Sequence, residues 1–72
     1  MSGTREQDKL RALLAHWIEH NAEHAAEFRR WIGVAGEAAT DIEAAAARME
    51  SANEALSAAL AKLGGPVAHD HS

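Results

Sequence analysis

The segment Trp31-Ile32-Gly33-Val34-Ala35-Gly36-Glu37-Ala38-Ala39-Thr40 separates two long helical patterns and decides the fold. Glycine readily takes the left-handed conformation that follows many helices, so Gly33 or Gly36 is expected to end the first helix. Downstream, Thr40-Asp41-Ile42-Glu43 fits a capping box, a common helix start. The turn is therefore predicted between Gly33 and Thr40. It is either a tight turn at the two glycines or a frayed helix end that restarts at Thr40.

Upstream of this segment, apolar side chains recur at spacings of three and four, which is typical of one helical face. These side chains are Leu10, Leu13, Leu14, Trp17, Ile18, Ala25, Phe28, Trp31 and Ile32. The pattern predicts a first helix over about 5–35. Its apolar arc spans about 140° from Leu13 through Trp17 to Ile18, which is too wide for one alanine-rich partner helix to cover.

Downstream, Ile42, Met49, Leu56 and Leu63 repeat every seven residues, as in coiled coils and helix bundles. They predict a second helix over about 37–63. Asn53 lies in this seam, where a single buried asparagine often fixes the register of packed helices. Gly64-Gly65-Pro66 is expected to end the helix. The remaining tail, 64–72, is predicted to be flexible, and its His69-Asp70-His71 run is a second, weaker indication of metal binding.

The composition supports a purely helical chain. Alanine is abundant, there is one proline and no tyrosine, and 72 residues are enough for one small domain. The predicted fold is therefore all-α: an antiparallel two-helix hairpin over 1–63. Because one hairpin buries only one seam, we expect two hairpins to dimerise into a four-helix bundle.

Several functional classes are disfavoured by charge and pattern. A net charge of −4 argues against nucleic acid as a partner. The chain lacks a run of about 20 apolar residues, so no membrane span is expected. Its polar N-terminus predicts no signal peptide and hence a cytoplasmic location. It contains no recognisable nucleophile constellation, phosphate loop or acidic cluster, so we do not expect an enzyme.

The most chemically specific feature is a ladder of three histidines, His16, His20 and His24, spaced four residues apart. Such residues share a helical face, and a pair of neutral imidazoles favours divalent Zn, Ni, Co or Cu. A rise of about 12 Å separates His16 from His24, so one ion uses either His16 with His20 or His20 with His24. Glu27, three residues after His24, is a further candidate ligand.

The remaining ligands must come from helix 2 or from a second chain. Helix 2 offers Glu50, Asn53 and Glu54, together with Met49, and which of them faces the ladder depends on where the turn lies. The competing interpretation is structural. Glu19, Glu23 and Glu27 each follow a histidine by three residues, so the imidazoles can instead pair with carboxylates on the helix surface.

The run His16-Trp17-Ile18-Glu19-His20-Asn21-Ala22-Glu23-His24, with Phe28, Trp31 and Ala52-Asn53-Glu54, resembles a small uncharacterised prokaryotic family of helical hairpins. That family carries an HWxxHNxxH signature, and some members occur near transition-metal transport genes. The resemblance implies that the histidines, Asn21 and Glu54 belong together, while the Gly33–Gly36 segment departs from the family. Trp31-Ile32-Gly33 is also similar to the tripeptide of the longer WXG-type secreted hairpins.

These observations predict a small soluble transition-metal-binding protein that senses, buffers or delivers its ion. The predicted metal ligands are His16, His20, His24, Glu27 and Glu54. The predicted partners are a second copy of the chain and a metal-transport or metal-handling protein. The alternative function is a structural or adaptor hairpin that mediates protein–protein interaction without metal.

Overall fold

The structure is a computed structural model that describes residues 4–67. Helix α1 (Thr4–Arg30) and helix α2 (Ala39–Lys62) are joined by two short 3-10 helices, Ile32–Val34 and Gly36–Ala38. The two long helices pack along each other as a hairpin. Within the described part of the chain, the predicted all-α hairpin is thus confirmed.

The helices were expected over about 5–35 and about 37–63; the end of the first is wrong by about five residues, and the start of the second differs by two. Helix α1 ends at Arg30, and α2 begins at Ala39. After α1 the backbone tightens, because the amide of Trp31 bonds to the carbonyl of Phe28 and that of Val34 to the carbonyl of Trp31, at 3.1 and 3.2 Å. Such bonds to the third preceding residue produce 3-10 turns rather than a continued α-helix.

Gly36 supplies the reversal that the hairpin needs. Its φ of 57° lies in the left-handed region, which glycine enters without the steric cost of a β-carbon. Of the two glycines proposed for this role, Gly36 therefore takes it and Gly33 does not. Residues 68–72, including His69 and His71, lie outside the described part of the chain.

The predicted capping box at Thr40 is also wrong. Ala38 occupies the N-cap position of α2 and provides no side-chain hydrogen bond, and Thr40 lies inside the first turn. The preceding 3-10 turn already satisfies the backbone there, because the amides of Ala38 and Ala39 bond to the carbonyls of Ala35 and Gly36. The helix consequently starts without a side-chain cap.

The seam between α1 and α2 is narrow and contains small side chains. Its most buried members are Leu14 and Ala25 from α1, and Ala46 and Leu60 from α2. Alanine at the contact lets two helix axes approach closely, at the lower end of the usual 8–10 Å. The core is therefore a single strip along the hairpin.

A polar contact interrupts this apolar seam at its middle. The side-chain amide of Asn21 donates to Oδ1 of Asn53 at 3.1 Å, and Nδ2 of Asn53 donates to the carbonyl of Ile18 at 2.9 Å. Each bond has a specific donor and acceptor, so sliding one helix past the other breaks both. The predicted register role of Asn53 therefore has a geometric basis.

Charged groups tie the helices together at both ends of the seam. Arg11 donates to the carbonyls of Gly65 and Pro66 beyond the end of α2, at 2.7 and 3.2 Å. Near the turn, Arg29 donates to both Glu43 and Glu50. These bonds hold the pKa of each carboxyl below its usual 4.5 and raise that of the guanidinium.

Candidate functional site

The histidine ladder lies in the middle of α1 and is exposed to solvent. The ring centroids of His16 and His20 are 5.6 Å apart, and those of His20 and His24 are 4.6 Å apart. Helical geometry sets this approach, since residues four apart are neighbours on the surface. The structure thus brings the three histidines together as two pairs that share His20, and the second pair is the closer.

The ladder continues into an aromatic surface. The rings of His24 and Phe28 stack with centroids 6.1 Å apart and an interplanar angle of 27°. Phe28 and Trp31 then line a small apolar groove with Ile42 and Ala45 of α2. The His20–His24 pair therefore lies at the edge of an apolar surface that both helices form.

Glu27 is close to the ladder in sequence but is held by other partners. Its Oε1 accepts from Arg30 at 3.0 Å, and its Oε2 accepts from the indole nitrogen of Trp31 at 3.0 Å. These bonds turn the carboxylate towards the C-terminal end of α1. To ligate a metal beside His24, Glu27 would have to give up at least one of them.

Glu54 lies on the other side of the hairpin. It lines a groove with Ala22, Ala26, Arg29 and Ser57, whereas His16 and His20 line a separate shallow pocket with Glu19 and Glu23. Within one chain, the structure does not bring Glu54 to the ladder. In the region 4–67, no group of three or more His, Asp or Glu side chains has the arrangement to hold a metal ion.

The surface next to the ladder is unusually apolar. Trp17, Trp31 and Val34 remain 41%, 57% and 78% exposed, and Leu10 and Leu13 are also exposed. At about 100° per residue, Trp17 points roughly 80° and Leu13 roughly 120° away from the buried Ala25. Helix α1 therefore has two apolar faces, one covered by α2 and one facing solvent.

Sequence reasoning missed two parts of this surface. The sequence pattern places Val34 only in the turn, and it does not predict the groove formed by Phe28, Trp31, Ile42 and Ala45. The sequence gives a weak indication of the role of Val34, because it is the one large apolar side chain between Gly33 and Gly36. It gives no indication of the groove, because the groove depends on how the turn places α2 beside α1.

The fold and this surface define a two-helix hairpin with an exposed imidazole pair at the edge of an apolar face. The model of one family, described as Domain of unknown function (DUF8180), matches residues 10–63, and the chain belongs to that family. The match begins at the first apolar residue of α1 and ends just after α2. No curated protein and no solved structure matches the chain.

The comparison agrees with the expected resemblance at its coarser level, a small family without an assigned activity. The HWxxHNxxH signature as a family trait, and the proximity of some members to metal-transport genes, stay predictions. None of the helices in the described region is both long and apolar enough to cross a lipid bilayer.

Proposed function

We propose that this protein binds a divalent transition metal through the histidine ladder, with His20 and His24 as the central pair. The observation that carries the proposal is the 4.6 Å separation of these two exposed rings. Two imidazoles one helical turn apart can direct nitrogen atoms at one ion, and imidazole suits Zn, Cu and Ni. The role is one of binding, as in metal sensing, buffering or delivery, rather than catalysis.

His16 extends the ladder towards water and provides an alternative pair with His20. The longer 5.6 Å separation and the position of His16 away from the apolar face favour it as a secondary ligand. Glu27 and Glu54 are the weaker members of the predicted set, because their side chains point to other partners or to the other groove.

The proposed active form is a homodimer that buries the apolar surface of α1 and forms a four-helix bundle. Exposed tryptophan and leucine side chains supply the driving force, since burying apolar surface contributes about 25 cal/mol per Å². A metal-transport or metal-handling protein remains the predicted partner for ion exchange, and a cytoplasmic location remains the predicted setting.

Isothermal titration calorimetry tests the metal proposal directly. The 72-residue chain is titrated with Zn²⁺, Ni²⁺, Co²⁺ and Cu²⁺, in parallel with His20→Ala and a His69→Ala/His71→Ala double variant. His20→Ala should weaken binding at least about tenfold, because it removes the ligand common to both pairs. The tail variant should bind nearly as tightly as wild type.

His20 is exposed, so the substitution should leave the helical circular dichroism spectrum unchanged. Equal affinities for wild type and His20→Ala would contradict the proposal. So would the lack of any binding tighter than roughly millimolar, which is about 4 kcal/mol of binding free energy.

The exposed apolar surface also favours the second candidate function, a hairpin adaptor that recruits another protein without metal. Patches of this kind on a soluble chain mark interaction sites. The two functions differ in a simple measurement. If the adaptor function is correct, EDTA leaves the melting temperature and the oligomeric state unchanged, whereas a bound metal adds to the free energy of folding.

A further inference from the structure

The solvent-facing surface of α1 has an order that is nearly the same when read from either end. Leu13 and Trp31, which directly follows α1, each lie nine positions from residue 22, and His20 and His24 each lie two positions from it. All four side chains fall within about 40° of one another around the helix at 100° per residue. The histidine pair is thus at the centre of the surface, with an apolar side chain at equal distances on either side.

The outer parts of the surface follow the same order. Leu10 and Val34 are both twelve positions from residue 22, although Val34 is in the 3-10 turn. Trp17 and Phe28 are five and six positions from it. A surface with this symmetry is complementary to itself under a twofold rotation, which is the requirement for an isologous dimer contact.

We propose that two copies pair α1 against α1 in antiparallel orientation, with the twofold axis beside residue 22, so that four imidazoles form one metal site. This inference rests on the metal-binding function proposed above and adds its ligand set and architecture. His20 of one copy lies opposite His24 of the second copy, and the reverse holds across the axis. Leu13 of each copy packs against Trp31 of the other.

The area available reaches the lower limit for a specific dimer. From Leu13 to Trp31 the surface runs about 27 Å along the helix, and the hairpin is 25 Å across. A contact of about 25 by 20 Å buries roughly 500 Å² on each copy, which is near the ~1,000 Å² total at which specific interfaces begin. A second copy of this chain therefore fits the surface in size as well as in order.

The directions of the two apolar faces of α1 fit the same arrangement. One face, at Leu14 and Ala25, meets α2. The other, at Leu13 and His24, points about 100° away at 100° per residue. A helix in a four-helix bundle has two neighbours at roughly a right angle, so α1 has room for α2 on one side and for α1 of the second copy on the other.

Coordination chemistry also favours four imidazoles. Zn²⁺ in closed sites is tetrahedral with four protein ligands at about 2.0–2.1 Å for nitrogen. One chain presents His20 and His24, while Glu27 is engaged by Arg30 and Trp31 and Glu54 lines the other groove. The twofold axis doubles the histidine pair and completes the tetrahedral set.

The charge beside the axis indicates that the metal stabilises the dimer. Glu23 is one position from residue 22 and lines the shallow pocket with His20. The twofold rotation brings Glu23 of both copies towards each other at the rim of the site. Like charges repel, and a divalent cation between the copies offsets that repulsion. Metal binding and dimerisation are consequently linked.

Sedimentation equilibrium combined with Zn²⁺ titration tests the linkage on the full chain. The expected result is one Zn²⁺ per two chains and tighter dimerisation when Zn²⁺ is present. Leu13→Lys leaves every ligand in place but puts a charge in the contact, so it should weaken Zn²⁺ binding at least about tenfold. The matched control is Ser57→Lys, because Ser57 lines the groove on the other side of the hairpin. This variant should bind Zn²⁺ as tightly as wild type does.

Cysteine cross-linking tests the orientation, because the natural chain has no cysteine. In antiparallel pairing, a Leu13→Cys/Trp31→Cys variant forms disulfide-linked dimers on mild oxidation. Leu13→Cys alone does not, since the two substituted positions lie about 27 Å apart along the axis. Disulfides require Cα atoms within about 7 Å of each other. In a parallel pairing the two copies of residue 13 would be adjacent, so Leu13→Cys alone would form a disulfide-linked dimer.

The outcomes separate the two proposals. If no metal binds the wild-type chain, the proposed function fails and this inference fails with it. If one ion binds each chain, with the same affinity in Leu13→Lys, the proposed function stands and the shared site is overturned. A disulfide dimer from Leu13→Cys alone also overturns the antiparallel arrangement.

Discussion

Asn53 aligns the two helices through two side-chain hydrogen bonds in the middle of their seam. It accepts from Asn21 and donates to the carbonyl of Ile18, in a seam that is otherwise apolar. A hydrogen bond of this kind contributes about 1 kcal/mol net, and leaving a half-buried partner unsatisfied costs about 1–3 kcal/mol. The contribution of Asn53 is therefore measurable against the small total stability of a 72-residue chain.

Replacing this residue gives a prediction at the residue scale. Asn53→Ala should lower the free energy of unfolding by about 1–2 kcal/mol, because Asn21 and the Ile18 carbonyl both lose a partner. Urea denaturation at fixed protein concentration measures the change. Ser57→Ala, one turn later and exposed, should change it by less than about 0.5 kcal/mol.

A double-variant cycle separates the amide pair from general packing. The effects of Asn21→Ala and Asn53→Ala should not add, since each substitution removes the same Asn21–Asn53 bond. Additive effects would show that the amide contact has no energetic role.

At the scale of the element, the turn depends on the left-handed backbone at Gly36. An L-residue in that conformation is less stable by roughly 1–2 kcal/mol. Gly33 has a negative φ, and a β-carbon added there meets no atom within 4 Å. Gly33 and Gly36 lie three residues apart in the same turn. Only Gly36 has a backbone conformation that disfavours a β-carbon, so the same substitution at the two positions can be compared directly.

The corresponding prediction uses the same substitution at both positions. Gly36→Ala should destabilise the hairpin by about 1 kcal/mol, whereas Gly33→Ala should be neutral or stabilise it by up to about 1 kcal/mol. Urea midpoints of both variants and wild type, measured at one protein concentration, provide the comparison. If both alanine variants shift the midpoint equally, the assigned left-handed turn at Gly36 is wrong.

The turn also shows how far local sequence signals reach. The glycines and the capping signal at Thr40 together predicted a turn between Gly33 and Thr40, but they could not decide which glycine makes it. The capping signal at Thr40 was misleading, because the 3-10 turn satisfies the first amides of α2 through the backbone. A capping box predicts a helix start only where the preceding chain leaves those amides without partners.

At the scale of the whole molecule, Arg29 links α1 to two carboxylates on α2. Its Nη2 lies 2.8 Å from Oε2 of Glu43 and 3.2 Å from Oε1 of Glu50. These contacts lower the pKa of both carboxyls in the folded state relative to 4.5. A lowered folded pKa contributes stability above pH 4.5, which is lost as the pH falls through the folded value.

The stability contributed by Arg29 should therefore depend on pH. Arg29→Met keeps most of the aliphatic side chain and removes the charge, so it should lower the urea midpoint slightly at pH 7. The difference from wild type should shrink towards about pH 2, where the carboxyls are protonated. Because the two carboxylates are solvent-exposed and Arg29 is half-exposed, high salt should also reduce this difference.

Arg48→Met serves as the control for removing a surface arginine on α2. The effect of Arg48→Met on the urea midpoint should not shrink between pH 7 and pH 2 as the effect of Arg29→Met does. A difference between wild type and Arg29→Met that is equally large at pH 7 and pH 2 would rule out the ion pairs as its source.

The sequence by itself determined the all-α class, the two helical segments and the spacing of the ladder. These follow from local rules, since helix propensity and a 3.6-residue period fix which residues share a face. The four-residue spacing predicted that His20 and His24 share a helical face, and in the structure their ring centroids lie 4.6 Å apart.

Only the tertiary structure decided which face of α1 meets α2. Both apolar faces had the same helical period, and the choice depends on the rotation that the Gly36 turn imposes on α2. That choice buries Leu14 and Ala25 and leaves Trp17 and Trp31 exposed beside the histidines. The same packing places Glu54 in the groove on the other side of the hairpin. A residue of α2 has defined neighbours on α1 only once the two helices are packed.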